Sequence, residues 1–96
     1  MTNQIANDTF AVSAEASASI HEHGVVILHA SNGCIYSSNE IGARIWRRVA
    51  EKSPIRAIID EIRNKYELAH SVAHDHVTRF LAELEQHALI YRQEEL

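Results

Sequence analysis

Apolar positions follow two rhythms along this chain, a period of two before residue 39 and a spacing of three and four after it. Thr9-Phe10-Ala11-Val12-Ser13 carries the short alternation of a strand with one buried face, which predicts a strand over 9–13. Residues 14–19 are small and polar, and predict a loop or a frayed strand. Val25-Val26-Ile27-Leu28-His29, entered through Gly24, is a largely β-branched run that suits the middle strand of a small sheet. Ala30-Ser31-Asn32-Gly33 is a turn cluster, and Asn-Gly favours a hairpin because both residues tolerate positive φ. Cys34-Ile35-Tyr36-Ser37 returns as a strand. The expected N-terminal unit is a three-stranded antiparallel meander of 9–13, 25–29 and 34–37.

Three helices are expected next. Asn39 is suited to cap the first, with Ile41, Ile45, Trp46 and Val49 on one face and Arg44, Arg47 and Arg48 mostly on the other. Ser53-Pro54 opens the second, a hydroxyl cap followed by proline at the first helical position, where a missing N–H costs nothing. Ile55, Ile58, Ile59 and Ile62 form its apolar stripe, and Asn64-Lys65 closes it. Tyr66-Glu67-Leu68 is a short connector. Ser71 is the expected cap of a third helix over 71–87, whose apolar side carries Val77, Phe80, Leu81, Leu84 and Ala88. Leu89-Ile90-Tyr91 follows as an apolar extension and 92–96 as a polar tail. The fold class is α+β.

Composition narrows the class. The 96 residues are 46% hydrophobic and 23% charged with one proline and three glycines, which predicts one domain over 1–96 with one small core and rules out fibrous or disordered chains. The longest apolar run, from Val25 to Leu28, is far short of the ~20 residues that span a bilayer, so no membrane partner is expected. The first ten residues lack a basic n-region and an apolar h-region, so no secretory signal is expected. A lone cysteine, Cys34, cannot close an internal disulfide, and a cytoplasmic location is the simpler expectation.

The net charge of −4 is unevenly spread: −4 over 1–43, which hold no Lys or Arg, +4 over 44–65, and −4 over 66–96. A basic middle raises a nucleic-acid reading, because strands with three helices can form a winged helix-turn-helix whose last helix enters the major groove. That helix, 71–87, sets Arg79 against Asp75, Glu83 and Glu85 and would repel phosphate. The basic residues lie on the first two helices, where Glu40/Arg44 and Arg47/Glu51 have i,i+4 spacing. No nucleic-acid partner is expected. Seven histidines raise a metal reading: His21-Glu22-His23 would put two imidazoles on one strand face, and His70, His74 and His76 cluster near the third helix. With His70 ahead of the Ser71 cap, His70 and His74 need not share a helical face, and no cysteine pair completes a tetrahedral set. Neither a metal nor another cofactor is expected. No phosphate-cradling glycine loop or Gly-x-Ser-x-Gly turn is present, and a mid-strand Cys34 suits a half-buried thiol better than a nucleophile. Catalysis is not expected.

The stretches GVVILHASNGCIYSSNEIGARIW, SPIRAIIDEIRNKYEL and VAHDHVTRFLAELEQHALI, taken in order, resemble the PqqD-like family over 24–90. The features that carry the resemblance are Asn32-Gly33, Ile35-Tyr36, Asn39, Ile45-Trp46, Ser53, Val77, Phe80-Leu81, Leu84 and Ala88-Leu89-Ile90. The chain departs from the family at Ser38, where leucine is usual, and at His76, where aspartate is common. Ala88 stands for a glycine, so the last helix is expected to run on, and Val49-Ala50-Glu51-Lys52 lacks the Asp-Gly typical there. That last departure, with Trp46, makes it look more like the stand-alone members of lasso-peptide and other modified-peptide clusters than like PqqD proper.

The resemblance implies a winged-helix-like fold, a three-stranded sheet on three helices, that binds the leader of a precursor peptide without catalysis. It further implies that the leader adds as a strand to the third strand, beside the third helix, and is presented to a modifying enzyme or leader protease. The docking edge would be Cys34, Ile35, Tyr36, Ser37 and Ser38. Apolar anchors would press on Ile35 or Tyr36 and on a helix flank with Val77 and Phe80, while His76, Arg79 and Glu83 would meet leader charges. Other readings of the same layout are a winged-helix DNA-binding regulator and a small domain that pairs with itself through that edge.

Overall fold

Residues 8–93, those described in this computed structural model, form β1 (Thr9–Val12), β2 (Ala16–His21), β3 (Gly24–His29), β4 (Ile35–Asn39), α1 (Glu40–Ala50), α2 (Ile55–Tyr66), α3 (His70–Gln86) and β5 (Ile90–Gln93). The α+β order read from the sequence is present, a three-stranded antiparallel sheet followed by three helices in a winged helix-turn-helix-like arrangement. Among the described residues no helix is long and apolar enough to cross a membrane.

The sheet is built from different strands than expected. Its order is β2-β3-β4, and the strand at Thr9–Val12 is not part of it. Instead β1 pairs antiparallel with β5, Val12 opposite Ile90 and Thr9 opposite Gln93. The vacant place is taken by β2, in the stretch expected to be loop or frayed strand. Most of β2 is exposed, so its low-propensity Ala and Ser are tolerated where backbone pairing with β3 holds the strand. Leu89-Ile90-Tyr91 is thus no plain extension, and Arg92 and Gln93 of the expected polar tail belong to β5. The rest of that tail, 94–96, and the first seven residues of the segment read as lacking a signal lie outside the described residues.

Only one of the three expected caps forms. The Asn39 Oδ1 accepts the Gly42 N–H at 3.1 Å, an arrangement that contributes about 1 kcal/mol to α1. α2 starts at Ile55 behind an extended Pro54, without a Ser53 hydroxyl cap. The Ile55 N–H donates to the Asp8 carbonyl at 3.1 Å, so the segment entering β1 satisfies the helix end. α3 starts at His70 with Ala69 as its N-cap, which leaves Ser71 inside the first turn. The earlier start brings His70 and His74 onto one face, with ring centroids 6.2 Å apart. His23 lies in the turn between β2 and β3, so it does not share a strand face with His21.

The basic middle ties two helices together through Glu61, and its local pair of Arg48 with Glu51 is i,i+3 rather than the expected i,i+4. Arg44 meets Glu61 of α2 at 3.2 Å, and Arg48 bridges Glu61 and Glu51. Glu40, expected to pair with Arg44, accepts the Tyr66 hydroxyl at 3.0 Å. The isoleucine stripe of α2 is buried in full and packs with Ile45, Trp46 and Val49 of α1, Val77, Leu81 and Leu84 of α3, and Val25 and Ile27 of β3.

α3 does not run on through Ala88. That residue takes the left-handed conformation at φ +61. The Leu89 N–H reaches the Leu84 carbonyl at 2.9 Å and the Ala88 N–H the Glu85 carbonyl at 3.0 Å, the two bonds of a Schellman stop. Ala88→Gly is expected to raise stability by about 0.5–1 kcal/mol, because removing the left-handed penalty outweighs the added freedom of the unfolded chain. Urea unfolding of both proteins checks this, and a lower midpoint for the glycine variant contradicts it.

Candidate functional site

β4 is an edge strand: β3 lies on one side of it, and no described strand lies on the other. The His29 N–H donates to the Cys34 carbonyl at 2.9 Å, which fixes the phase of the ladder. Hydrogen-bonded positions alternate in an antiparallel pair, so Tyr36 and Ser38 also bond toward β3. The N–H and C=O groups of Ile35 and Ser37 therefore point outward along the free edge. Cys34 itself precedes β4 rather than standing mid-strand, and its N–H is held by Asn32 Oδ1 at 2.8 Å.

Side chains of β4 alternate between two faces. Tyr36 and Ser38 turn toward α3, while Ile35 and Ser37 turn to the far side of the sheet. There Ile35, 71% exposed, sits opposite Leu28 beside Val26 in a bare apolar strip. Val77 is wholly buried in the core. Ile35 and Ser37 thus meet the edge through backbone alone, and Val77 supports α3 from beneath.

Between β4 and α3 lies an open cavity of about 230 Å³. It gathers Tyr36, Ser38, His76, Arg79, Phe80 and Glu83 from the residues singled out in the sequence. Asn39, Ile41, Gly42 and Ile45, which sequence reasoning missed, complete the lining from the start of α1. Gly42 carried a readable signal, a glycine inside an otherwise helical stretch. A Cβ there would lie 2.2 Å from Ser38 Oγ and 3.1 Å from Phe80 Cε1, so only glycine lets α1 close against both walls.

Tyr36 crosses one end of the cavity. Its ring packs edge-on against Phe80 with centroids 5.9 Å apart, sits 5.6 Å from the His87 ring, and its hydroxyl donates to Glu83 Oε1. Burial and then the Glu83 carboxylate push that hydroxyl up to about 12, so the bond is in place throughout the neutral range. With the folded value raised above the ordinary 10, any stability from this contact is present below pH 10 and is lost as the pH climbs through about 12. Burial also raises the Tyr66 hydroxyl, so tyrosinate absorbance is expected to show a late transition with two contributors, of which Tyr36→Phe deletes one and Glu83→Gln moves that one down. An unchanged titration in Glu83→Gln would contradict the contact.

Known proteins share this fold. The sequence model of the family described as Coenzyme PQQ synthesis protein D (PqqD) matches residues 24–90. Of solved structures, TbiB1 in complex with the TbiA(beta) leader peptide is 24% identical, with 83% of this chain and 93% of that one covered at a TM-score of 0.78. Lasso peptide synthetase B1 complexed with the leader peptide is 18% identical, with 85% and 96% covered at 0.77. At these identities the likeness is one of fold. A search of the curated proteins finds no match.

Proposed function

Because this chain belongs to the PqqD family, we propose that it binds the leader of a ribosomally made precursor peptide without catalysis and presents it to a modifying enzyme or leader protease, in a pathway of the lasso-peptide kind. The leader adds as a strand along β4, with alternate side chains in the groove against α3. The observation that carries this reading is the free β4 edge opening onto a cavity floored by Ile41, Ile45 and Phe80. Main-chain groups supply affinity in such an addition, and the pocket beside them selects side chains. The other edge, β2, is less suited, because the hollow beside it sets only Ile20 and Ala43 among His21, Glu22, Glu40, Arg44 and Arg47, so charged and polar groups dominate its lining. Two proteins of the same fold, TbiB1 and lasso peptide synthetase B1, are each described with a leader peptide bound, which supports the reading.

Calorimetry with the leader of a precursor encoded beside this gene tests it, together with amide shifts on titration. Saturable binding is expected, with the largest shifts at Ile35 and Ser37. Neither heat nor shifts along 35–39 would overturn the proposal.

A further inference from the structure

The groove does not end with β4. A second hollow of about 200 Å³, lined by Val72, Asp75, His76 and Arg79, adjoins the first and shares His76 and Arg79 with it. These residues recur at helical spacing with Phe80 and Glu83, so one continuous face of α3 is involved. Tyr36 meets the Glu83 and His87 end of the helix, and Asn39 shares the cavity with His76 and Arg79. The second hollow therefore continues the groove past the Asn39 end of the strand, over Val72, which is 42% exposed.

Arg79 stands at the junction. It has a carboxylate one turn away on either side, Asp75 at i−4 and Glu83 at i+4, and either spacing permits an ion pair. Neither pair forms. Glu83 is engaged by the Tyr36 hydroxyl, and Asp75 lies 3.9 Å from His74 Nδ1. Among the described residues no hydrogen bond or ion pair holds the Arg79 guanidinium, and α3 carries no other Lys or Arg. An open planar guanidinium matches planar oxyanions met in bidentate fashion, and among the side chains of an unmodified peptide that means a carboxylate.

Resting on the strand-addition reading, we propose that this groove selects an extended peptide in which an Asp or Glu stands two residues from an apolar anchor, the anchor on the Phe80 floor and the acid on Arg79. Side chains two apart on a strand share a face at a separation of roughly 6.6–6.8 Å, which sets the offset. The acid lies on the side of the anchor that covers Asn39. Flanking carboxylates cancel much of the long-range field of Arg79, so the selection works by contact rather than by steering, and salt weakens it only modestly.

The test is a phage-displayed library of random dodecapeptides, selected in parallel against the wild-type chain and Arg79→Glu. Wild type is expected to enrich an apolar residue with an acid at the fixed offset, and Arg79→Glu to replace that acid by Lys or Arg. For a selected peptide, Arg79→Ala is expected to weaken binding about fivefold, and to do nothing to the same peptide with Gln in place of the acid. Arg79 is exposed, so thermal melts of the variants are expected to match wild type. Apolar anchors without an acid, or the same acid enriched by Arg79→Glu, would overturn this subsite and leave peptide binding standing. No enrichment against wild type at all would overturn strand addition, and the subsite with it.

Discussion

Ser37→Pro is expected to weaken leader binding roughly a hundredfold while the fold stays in place. Ser37 lies opposite Val26 at a position whose own N–H and C=O face away from β3. Proline there removes no bond of the β3–β4 ladder, which is why proline is tolerated on edge strands. It also favours an extended residue before it, and Tyr36 is already extended within β4. What proline does remove is one of the donors that an added strand needs, and its ring fills the space where the peptide carbonyl would approach. A carbonyl left without a partner costs about 1–3 kcal/mol, and the steric block adds to that. Ser37→Ala keeps the N–H and is expected to bind as wild type, because the Ser37 side chain points away from the groove. Fluorescence anisotropy with a labelled leader, alongside thermal melts, separates loss of binding from loss of fold. Full binding by Ser37→Pro would show that the leader does not pair with this edge.

What the sequence made legible follows from the range over which each physical cause acts. The stripe of Ile55, Ile58, Ile59 and Ile62 and the Asn39 cap are local, and both were readable. Tyr36, Phe80 and Glu83 were brought to one cleft by strand and helix order, although Glu83 is 47 residues from the tyrosine it holds. The partner of β1 was not readable, since a period of two specifies a strand but not which strand it joins. That error displaced the others. Taking 9–13 into the main sheet left no strand for 16–21 and no role for Ile90 and Tyr91. Ala88 failed for the same reason: its left-handed turn is unfavourable locally by roughly 1–2 kcal/mol and is held by the pairing of β5 with β1. Gly42 advertised itself as odd, but its purpose depends on Ser38 and Phe80, which meet only in three dimensions.

The terminal pairing also sets the second large effect, in which Arg92→Met is expected to destabilise the chain by about 2–3 kcal/mol. Arg92 stands opposite Phe10 across β1 and β5, with its guanidinium 5.2 Å from the ring centroid and Nη1 3.5 Å from the Asp8 carboxylate. Asp8 is only 4% exposed, and its carbonyl holds the start of α2. Removing the cation leaves a buried carboxylate without its partner, which costs more than the pair itself is worth. The expected loss falls below the full 3–5 kcal/mol of a buried pair because the Arg92 side chain is 33% exposed. Methionine keeps most of the apolar stem, so packing over Phe10 changes little. Asp8→Asn combined with Arg92→Met is therefore expected to recover most of the loss, because the double variant buries no charge. A double-mutant cycle in urea measures this directly. If the double variant is as unstable as Arg92→Met alone, the contribution of Arg92 is its cation–π contact and strand pairing rather than neutralisation of Asp8. The groove is coupled to the outcome. α3 passes through Ala88 into β5, so loosening the β1–β5 pair releases the helix end that holds Glu83 and His87 against Tyr36. Leader affinity is then expected to fall in Arg92→Met and return in the double variant, although neither residue lines the cavity.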